Sequence, residues 1–193
     1  MTFDEIWINH LNRMGEYTAK FTPNISIGSK FYAVIVEPRV DENLEVIIKT
    51  VLYYLSNSKV DWGLQIFHGN KNKELVENIT KNWQNVVLTD LQVDNLTKQE
   101  YNNLLVTTNF WEKVKGEKIL MFQNDSILLR DGVDEFLEYD YIGAVWPWEQ
   151  EGRNVGNGGF SLRSKRLLDA CLDDTVQIPE HRNFIAEDAA IGV

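Results

Sequence analysis

Cysteine is almost missing from this chain, and its scarcity excludes more than any residue present. Cys171 is the single cysteine among 193 residues. No intrachain disulfide can form, and no cysteine-rich zinc site can be built. Histidine is nearly as scarce: His10, His68 and His181 lie far apart and match no zinc-ligand spacing. Basic residues are short as well, 19 Lys and Arg against 29 Asp and Glu, for a formal net charge of −10. A nucleic-acid partner is therefore not expected, although the balance leaves room for a small basic pocket that takes phosphates. No apolar run approaches the ~20 residues that cross a bilayer. The opening "MTFDEIWINH" carries acids and lacks the apolar core of a signal peptide. These absences lead to the expectation of a soluble, cytoplasmic protein with no transmembrane segment. Familiar catalytic loops are missing too. "HGNKNKE" is not a phosphate-binding Walker loop, and there is no G-x-S-x-G nucleophile elbow.

What is present is ordinary globular composition, 44% hydrophobic and 25% charged, in a length that suits one domain with a sizeable core. Phe3, Ile6, Trp7, His10, Leu11 and Met14 recur at helical spacing. They predict an N-terminal helix that packs on its own domain, with a partner-binding helix as the alternative. A loop follows to about residue 29. "KFYAVIVEPR" reads as a short, buried, β-branched strand ended by Pro38. Asp41 is then placed to cap a helix whose stripe is Leu44, Ile47, Ile48, Val51, Leu52 and Leu55. Strand and helix patterns keep alternating: "WGLQIF", a helix through Val76, "NVVLT", a long helical stretch over 97–114, then "KILMF". Such alternation predicts an α/β fold with a mainly parallel central sheet and helices on both faces. The second half reads as a short helix in "DGVDEFLEYD", a strand in "YIGAVW", a polar loop and a strand in "GGFSLR". A helix capped by Ser164 comes next, with Cys171 on its apolar stripe. The closing "FIAEDAAIGV" looks like an element cut short, so the expected domains are 1–29, helix and loop, and 30–193, truncated at its C-terminus.

Ligands of open α/β sheets bind beyond the carboxyl ends of the strands. Three polar clusters fall at such ends: "VEPR" (36–39), "QNDS" (123–126) and "GNGG" (156–159). Asp125, directly after a buried strand, reads either as a ligand for Mg²⁺ or Mn²⁺ or as a loop-capping aspartate. Glu187 and Asp188 are adjacent acids in apolar surroundings. They read either as a general base with a neighbour or as the acidic first turn of a helix. The glycines of "GNGGFSLR" imply a sharp turn or a close approach to the backbone.

Taken in order, "AVIVEPR", "LQIFHG", "KILMFQNDSILLR", "EYDYIGAVW", "GNGGFSLRS" and "EDAAIG" resemble the GT-A-fold, nucleotide-sugar-dependent glycosyltransferases. The likeness is greatest to a little-characterised subgroup sharing the F-Q-x-D-S and G-N-G-G-F-S-L-R stretches, and it covers residues 31–193. It implies a Rossmann-like GT-A domain that transfers a sugar from a nucleotide-diphosphate donor to a hydroxyl of a carbohydrate or glycoconjugate, with Mn²⁺ or Mg²⁺ as cofactor. Val36, Glu37 and Arg39 are implied to lie at the nucleotide, with Gln123 and Asn124 beside it. Asp125 takes the place of the last aspartate of the family's D-x-D, which binds metal and diphosphate. Gly158 and Gly159 are implied to let the backbone pass close to the sugars. Glu187 and Asp188 match the acidic pair of inverting members, with Asp188 as base. Arg39, Arg153 and Arg163 are candidates to offset diphosphate charge. Trp148, ahead of Trp146 and Tyr141, is the candidate for stacking on an acceptor sugar. The chain departs from the pattern at Gln123, where D-x-D has its first aspartate, and His181 precedes the acidic pair rather than following it. Two alternatives follow: an inactive sugar- or nucleotide-binding relative, and a nucleotidyltransferase, which the glycine-free "VEPRVDEN" disfavours.

Overall fold

A computed structural model describes residues 2–145 and 156–171. Alternation along the strands explains its layers. In β1 (Phe31–Val36), Ala33 and Ile35 point to one face while Tyr32, Val34 and Val36 point to the other, and all five are buried. β2 (Trp62–His68) and β4 (Lys118–Phe122) divide the same way. Burial on both faces is what a central parallel strand requires. With β3 (Val87–Asp90), β5 (Tyr141–Ala144) and β6 (Asn157–Ser164) they form a six-stranded sheet in the order β3-β2-β1-β4-β6-β5. β1 to β4 are mutually parallel, and β6 runs antiparallel to both β4 and β5. The expected α/β sheet with helices on both faces is therefore present, and its antiparallel member is the glycine-led strand.

One face is covered by α2 (Leu44–Leu55), which buries the whole predicted stripe, and by Val76 of α3 (Lys73–Thr80). α1 (Phe3–Thr18) lies on α2 and buries Leu11 and Met14. The first turns of α1 differ from expectation, because Phe3 is 77% exposed and Ile6 52%. The opposite face is covered by α4 (Lys98–Leu105), α5 (Thr108–Lys113) and α6 (Lys165–Cys171), through Leu105, Phe110, Trp111 and Leu168. The single helix expected over 97–114 is two. Thr97 and Thr107 each accept a backbone N–H at a separate N-cap. "DGVDEFLEYD" supplies only one 3-10 turn, Val133–Phe136. Asp41 does not cap α2; Asn43 occupies that position, and Asp41 accepts from the Asn43 N–H at 2.8 Å. Ser164 does cap α6, accepting from the Leu167 N–H at 3.1 Å. Cys171 is only half-buried there, and desolvation pushes its thiol pKa up.

The entry to α6 carries a pH-sensitive link to β5. Asp140 accepts from the Ser164 hydroxyl at 2.6 Å and pairs with Arg166. The Ser164 hydrogen bond, then Arg166, hold its pKa below the ordinary aspartate value. A depressed carboxylate stabilises the fold above its unfolded pKa, and that contribution is lost as pH falls through the folded value. Asp140→Asn is expected to be less stable than wild type near neutrality, and the gap is expected to close as pH falls below the ordinary aspartate range and through the depressed folded-state value. Urea unfolding across that window checks it.

Candidate functional site

The strand order reverses between β1 and β4: β2 and β3 extend to one side of β1, and β4 lies on the other. Open α/β sheets leave a crevice at such a switch point, outside the carboxyl ends of the strands. Here the crevice is a cavity of about 500 Å³. Parts of the three polar clusters meet there. Val36, Glu37 and Arg39 enter from the end of β1, Gln123, Asn124 and Asp125 from the end of β4, and Asn157 and Gly159 from the start of β6. β6 runs antiparallel, so its first residues meet the last residues of β4.

A wall of the cavity comes from a segment not anticipated as part of a site. Asn95, Leu96, Thr97 and Lys98 lead into α4, and Tyr101 and Asn102 follow on its first turns. A signal for this was in the sequence. "TKQE" is a capping box, and the structure shows Thr97 and Glu100 closing it reciprocally. It marks a helix start beyond the carboxyl end of a parallel strand, which is where ligands of this fold class sit.

The β1 end is the most tightly built part. Glu37 is 2% exposed, and both of its oxygens face Arg39. Arg39 donates from Nε to Oε1 at 2.8 Å and from Nη2 to Oε2 at 2.7 Å, and its backbone N–H also reaches Oε1 at 2.9 Å. The Glu37 hydrogen bond raises the Arg39 pKa, against a smaller opposing effect of desolvation. Arg39 Nη2 also donates to Asn124 Oδ1 at 3.2 Å, and Asn124 Nδ2 donates to Asp41 at 2.8 Å. β1 and β4 are thus laced together at the cavity floor. Below them Asn72, fully buried, donates to the carbonyls of Glu37 and Arg39 at 2.6 and 2.9 Å and accepts from the Gly69 N–H at 2.9 Å. Asn72→Ala would leave those three backbone groups buried without it. It is expected to cost about 2–3 kcal/mol, read as a lower urea midpoint at unchanged slope.

Asp125 is exposed and makes no hydrogen bond or ion pair with any described residue. It is the one carboxylate lining the cavity, among the described residues, with no hydrogen bond or ion pair to an arginine, and its charge makes only the smallest of the contributions that raise the Arg39 pKa. No group of three or more His, Cys, Asp and Glu that could hold a metal alone occurs among the described residues. A single carboxylate that shares Mg²⁺ or Mn²⁺ with substrate phosphates remains compatible with this donor set.

The glycines answer to close approach rather than to a turn. Neither Gly156 nor Gly159 has a positive φ. A Cβ on Gly159 would stand 2.8 Å from Gln123 Oε1, so the bare backbone leaves that amide its place at the cavity. Gly158 does not line the cavity; its carbonyl accepts from Ser161 Oγ and Arg163 Nη2, both at 2.9 Å. Arg163 is overturned as a candidate phosphate contact. It is fully buried, 5.9 Å from the Trp111 ring centroid and 5.8 Å from that of Tyr141. The alternation of β6 turns it inward. Tyr141 packs there rather than on the cavity, and its hydroxyl donates to the Gly156 carbonyl at 2.9 Å. Trp146, Trp148, Arg153, His181, Glu187 and Asp188 lie outside the described residues.

The largely parallel sheet with one reversed strand, and the polar cavity where β1, β4 and β6 meet, match the GT-A fold. Solved structures agree at the level of fold. The galactosyltransferase LgtC, in complex with donor and acceptor sugar analogues, superposes with a TM-score of 0.50 at 12% identity, over 82% of this chain and 69% of its own. Mannosyltransferase PcManGT from Pyrobaculum calidifontis, in complex with GDP-Man and Mn²⁺, gives 0.50 at 10% identity, over 94% of this chain and 57% of its own. Residues 84–192 match the family described as "Protein of unknown function (DUF5672)", and the chain belongs to that family. No curated protein matches it in sequence. No helix among the described residues is long and apolar enough to cross a membrane.

Proposed function

We propose that this protein is a glycosyltransferase that moves a sugar from a nucleotide-diphosphate donor to a hydroxyl of a carbohydrate or glycoconjugate. The observation that carries this reading is the meeting of "VEPR", "QNDS" and the start of "GNGGFSLR" in one cavity at the switch point of a GT-A sheet. The bound donor sugars in the two related structures support it. In this reading residues 30–193 form the transferase domain, of the subgroup with the F-Q-x-D-S and G-N-G-G-F-S-L-R stretches, and residues 1–29 are the N-terminal helix and loop that precede it.

Sugar transfer builds positive charge at the anomeric carbon and negative charge on the departing diphosphate. Arg39 would offset the latter with a charge fixed before the donor arrives. Asp125 would hold Mg²⁺ or Mn²⁺ together with the diphosphate, and the ion when bound would add Lewis-acid stabilisation of the same charge. Asp188, beside Glu187, would take the proton of the acceptor hydroxyl as it attacks from the face opposite the leaving group, which inverts the anomeric centre. Trp148 would stack on the acceptor ring.

Thermal unfolding against UDP-, GDP-, dTDP- and CMP-linked sugars, each with and without Mn²⁺, tests the proposal. A ligand that binds only the folded state stabilises it by ~2.7 kcal/mol at a hundred times its dissociation constant. A shift with one nucleotide class, followed by turnover of that donor, is expected. A shift without turnover would identify a binding protein, the reading that Gln123 in place of an aspartate favours. No shift with any donor would overturn the proposal.

A further inference from the structure

We propose that Glu37 is a positioning residue that never touches the ligand, and that it acts by holding Arg39 as the built-in counter-charge for the donor diphosphate. This rests on the transferase reading above. Both carboxylate oxygens of Glu37 are already engaged by Arg39, and the side chain is almost completely buried. A phosphate gains nothing by approaching such a group. Arg39 is placed differently. Its side chain is 55% exposed and lines the cavity. Nε and Nη2 are taken by Glu37 and Asn124, and Nη1 bonds to no described residue, so its two N–H donors remain for a ligand oxygen.

The surroundings tell against a pair kept only for stability. Burying a carboxylate is costly, and a pair whose arginine is half in water recovers little of that cost. The fork geometry instead fixes the guanidinium plane, which a lysine or an unpaired arginine would not hold. Asn72 fixes the backbone on both sides of Pro38 through the Glu37 and Arg39 carbonyls. Asn124 ties the same guanidinium to the segment that carries Asp125. Each contact removes a degree of freedom from Arg39 before a ligand binds, which lowers the ordering cost at binding.

The test is a double-mutant cycle on the full chain, with UDP, GDP and dTDP as probes, Mg²⁺ present, and dissociation constants from calorimetry. Arg39→Gln is expected to weaken the bound diphosphate at least tenfold. Glu37→Gln is expected to weaken it by a similar factor. Glu37→Gln/Arg39→Gln is expected to bind no more weakly than Arg39→Gln, because Glu37 has no route to the ligand except Arg39. A purely structural Glu37 would weaken binding further in the Arg39→Gln background, and that result overturns the inference. So does wild-type affinity in Glu37→Gln. If Glu37→Gln fails to fold, Glu37→Asp, which keeps the charge but withdraws the fork, is held to the same outcomes. If none of the three diphosphates binds folded wild-type protein, the transferase reading falls and this inference with it. If one binds and only the cycle is additive, the inference alone falls.

Discussion

Asp125→Asn is expected to lower sugar transfer on the order of a hundredfold, the scale seen when one group that stabilises developing charge is removed. The unfolding midpoint should hardly move. The two expectations belong together. Asp125 is exposed, and no described residue hydrogen-bonds or pairs with it, so the fold has little to lose with its charge. Surface substitutions of that kind usually change stability by less than ~0.5 kcal/mol. The site has more to lose. Glu37 is neutralised by Arg39 and Gln123 is an amide, so Asp125 brings the only uncommitted negative charge lining the cavity among the described residues. Asparagine keeps the shape and one oxygen but not the charge that a hard cation requires. Donor turnover in wild type and variant, across a Mn²⁺ titration, is the measurement. A variant that recovers at high Mn²⁺ identifies Asp125 as a metal ligand. A variant equal to wild type at every concentration removes it from the mechanism.

Much of this arrangement was legible in the sequence because local pattern encodes it. Leu44 to Leu55 could only be an amphipathic helix, and each short apolar run followed by a polar cluster marked a strand end. Those two patterns suffice to bring 36–39 and 123–125 to one edge of a sheet. What stayed hidden depends on partners distant in the chain. Period-two alternation shows that Leu162 and Arg163 face opposite ways, but not that β6 pairs antiparallel with β4. The register of that pairing, which sets Arg163 opposite Ile119, is what turns it to the buried face and away from the cavity. Asn72 sits in "HGNKNKE", which reads as an unremarkable polar turn, until the carbonyls of Glu37 and Arg39 are seen to need its amide. Glu37 lines the cavity at the end of β1, but a carboxylate's partner cannot be read from its own position. The break between α4 and α5 was missed for a simpler reason: apolar residues continue at helical spacing across Val106, and only the two threonine caps divide them.

The largest effect on stability is expected from Gly156→Ala, at about 3 kcal/mol or more, above the usual range for overpacking. A Cβ at Gly156 would stand 2.2 Å from both the carbonyl carbon and oxygen of Gly143, and 2.5 Å from the Ala144 carbonyl oxygen. All three are backbone atoms, and none can rotate away as a side chain would. The register between β5 and β6 shifts at Gly143 and Ala144, so the strands are already in close contact where the new methyl would intrude. Relief requires β5 to move off β6, which would also break the hydrogen bond from Tyr141 to the Gly156 carbonyl. Gly159→Ala is the informative control. Its Cβ would meet the Gln123 amide oxygen at 2.8 Å and Asn157 Oδ1 at 3.1 Å, both ends of side chains that can swing aside. That variant is expected to fold with a loss of ~1 kcal/mol, but with Gln123 displaced at the cavity and donor affinity reduced. Urea unfolding of both variants, beside the nucleotide-sugar shift of the one that folds, separates the two glycines. If Gly156→Ala unfolds at the wild-type midpoint, β5 and β6 are not in the contact described. If Gly159→Ala binds donor as wild type does, the glycine is not what keeps Gln123 in place at the site.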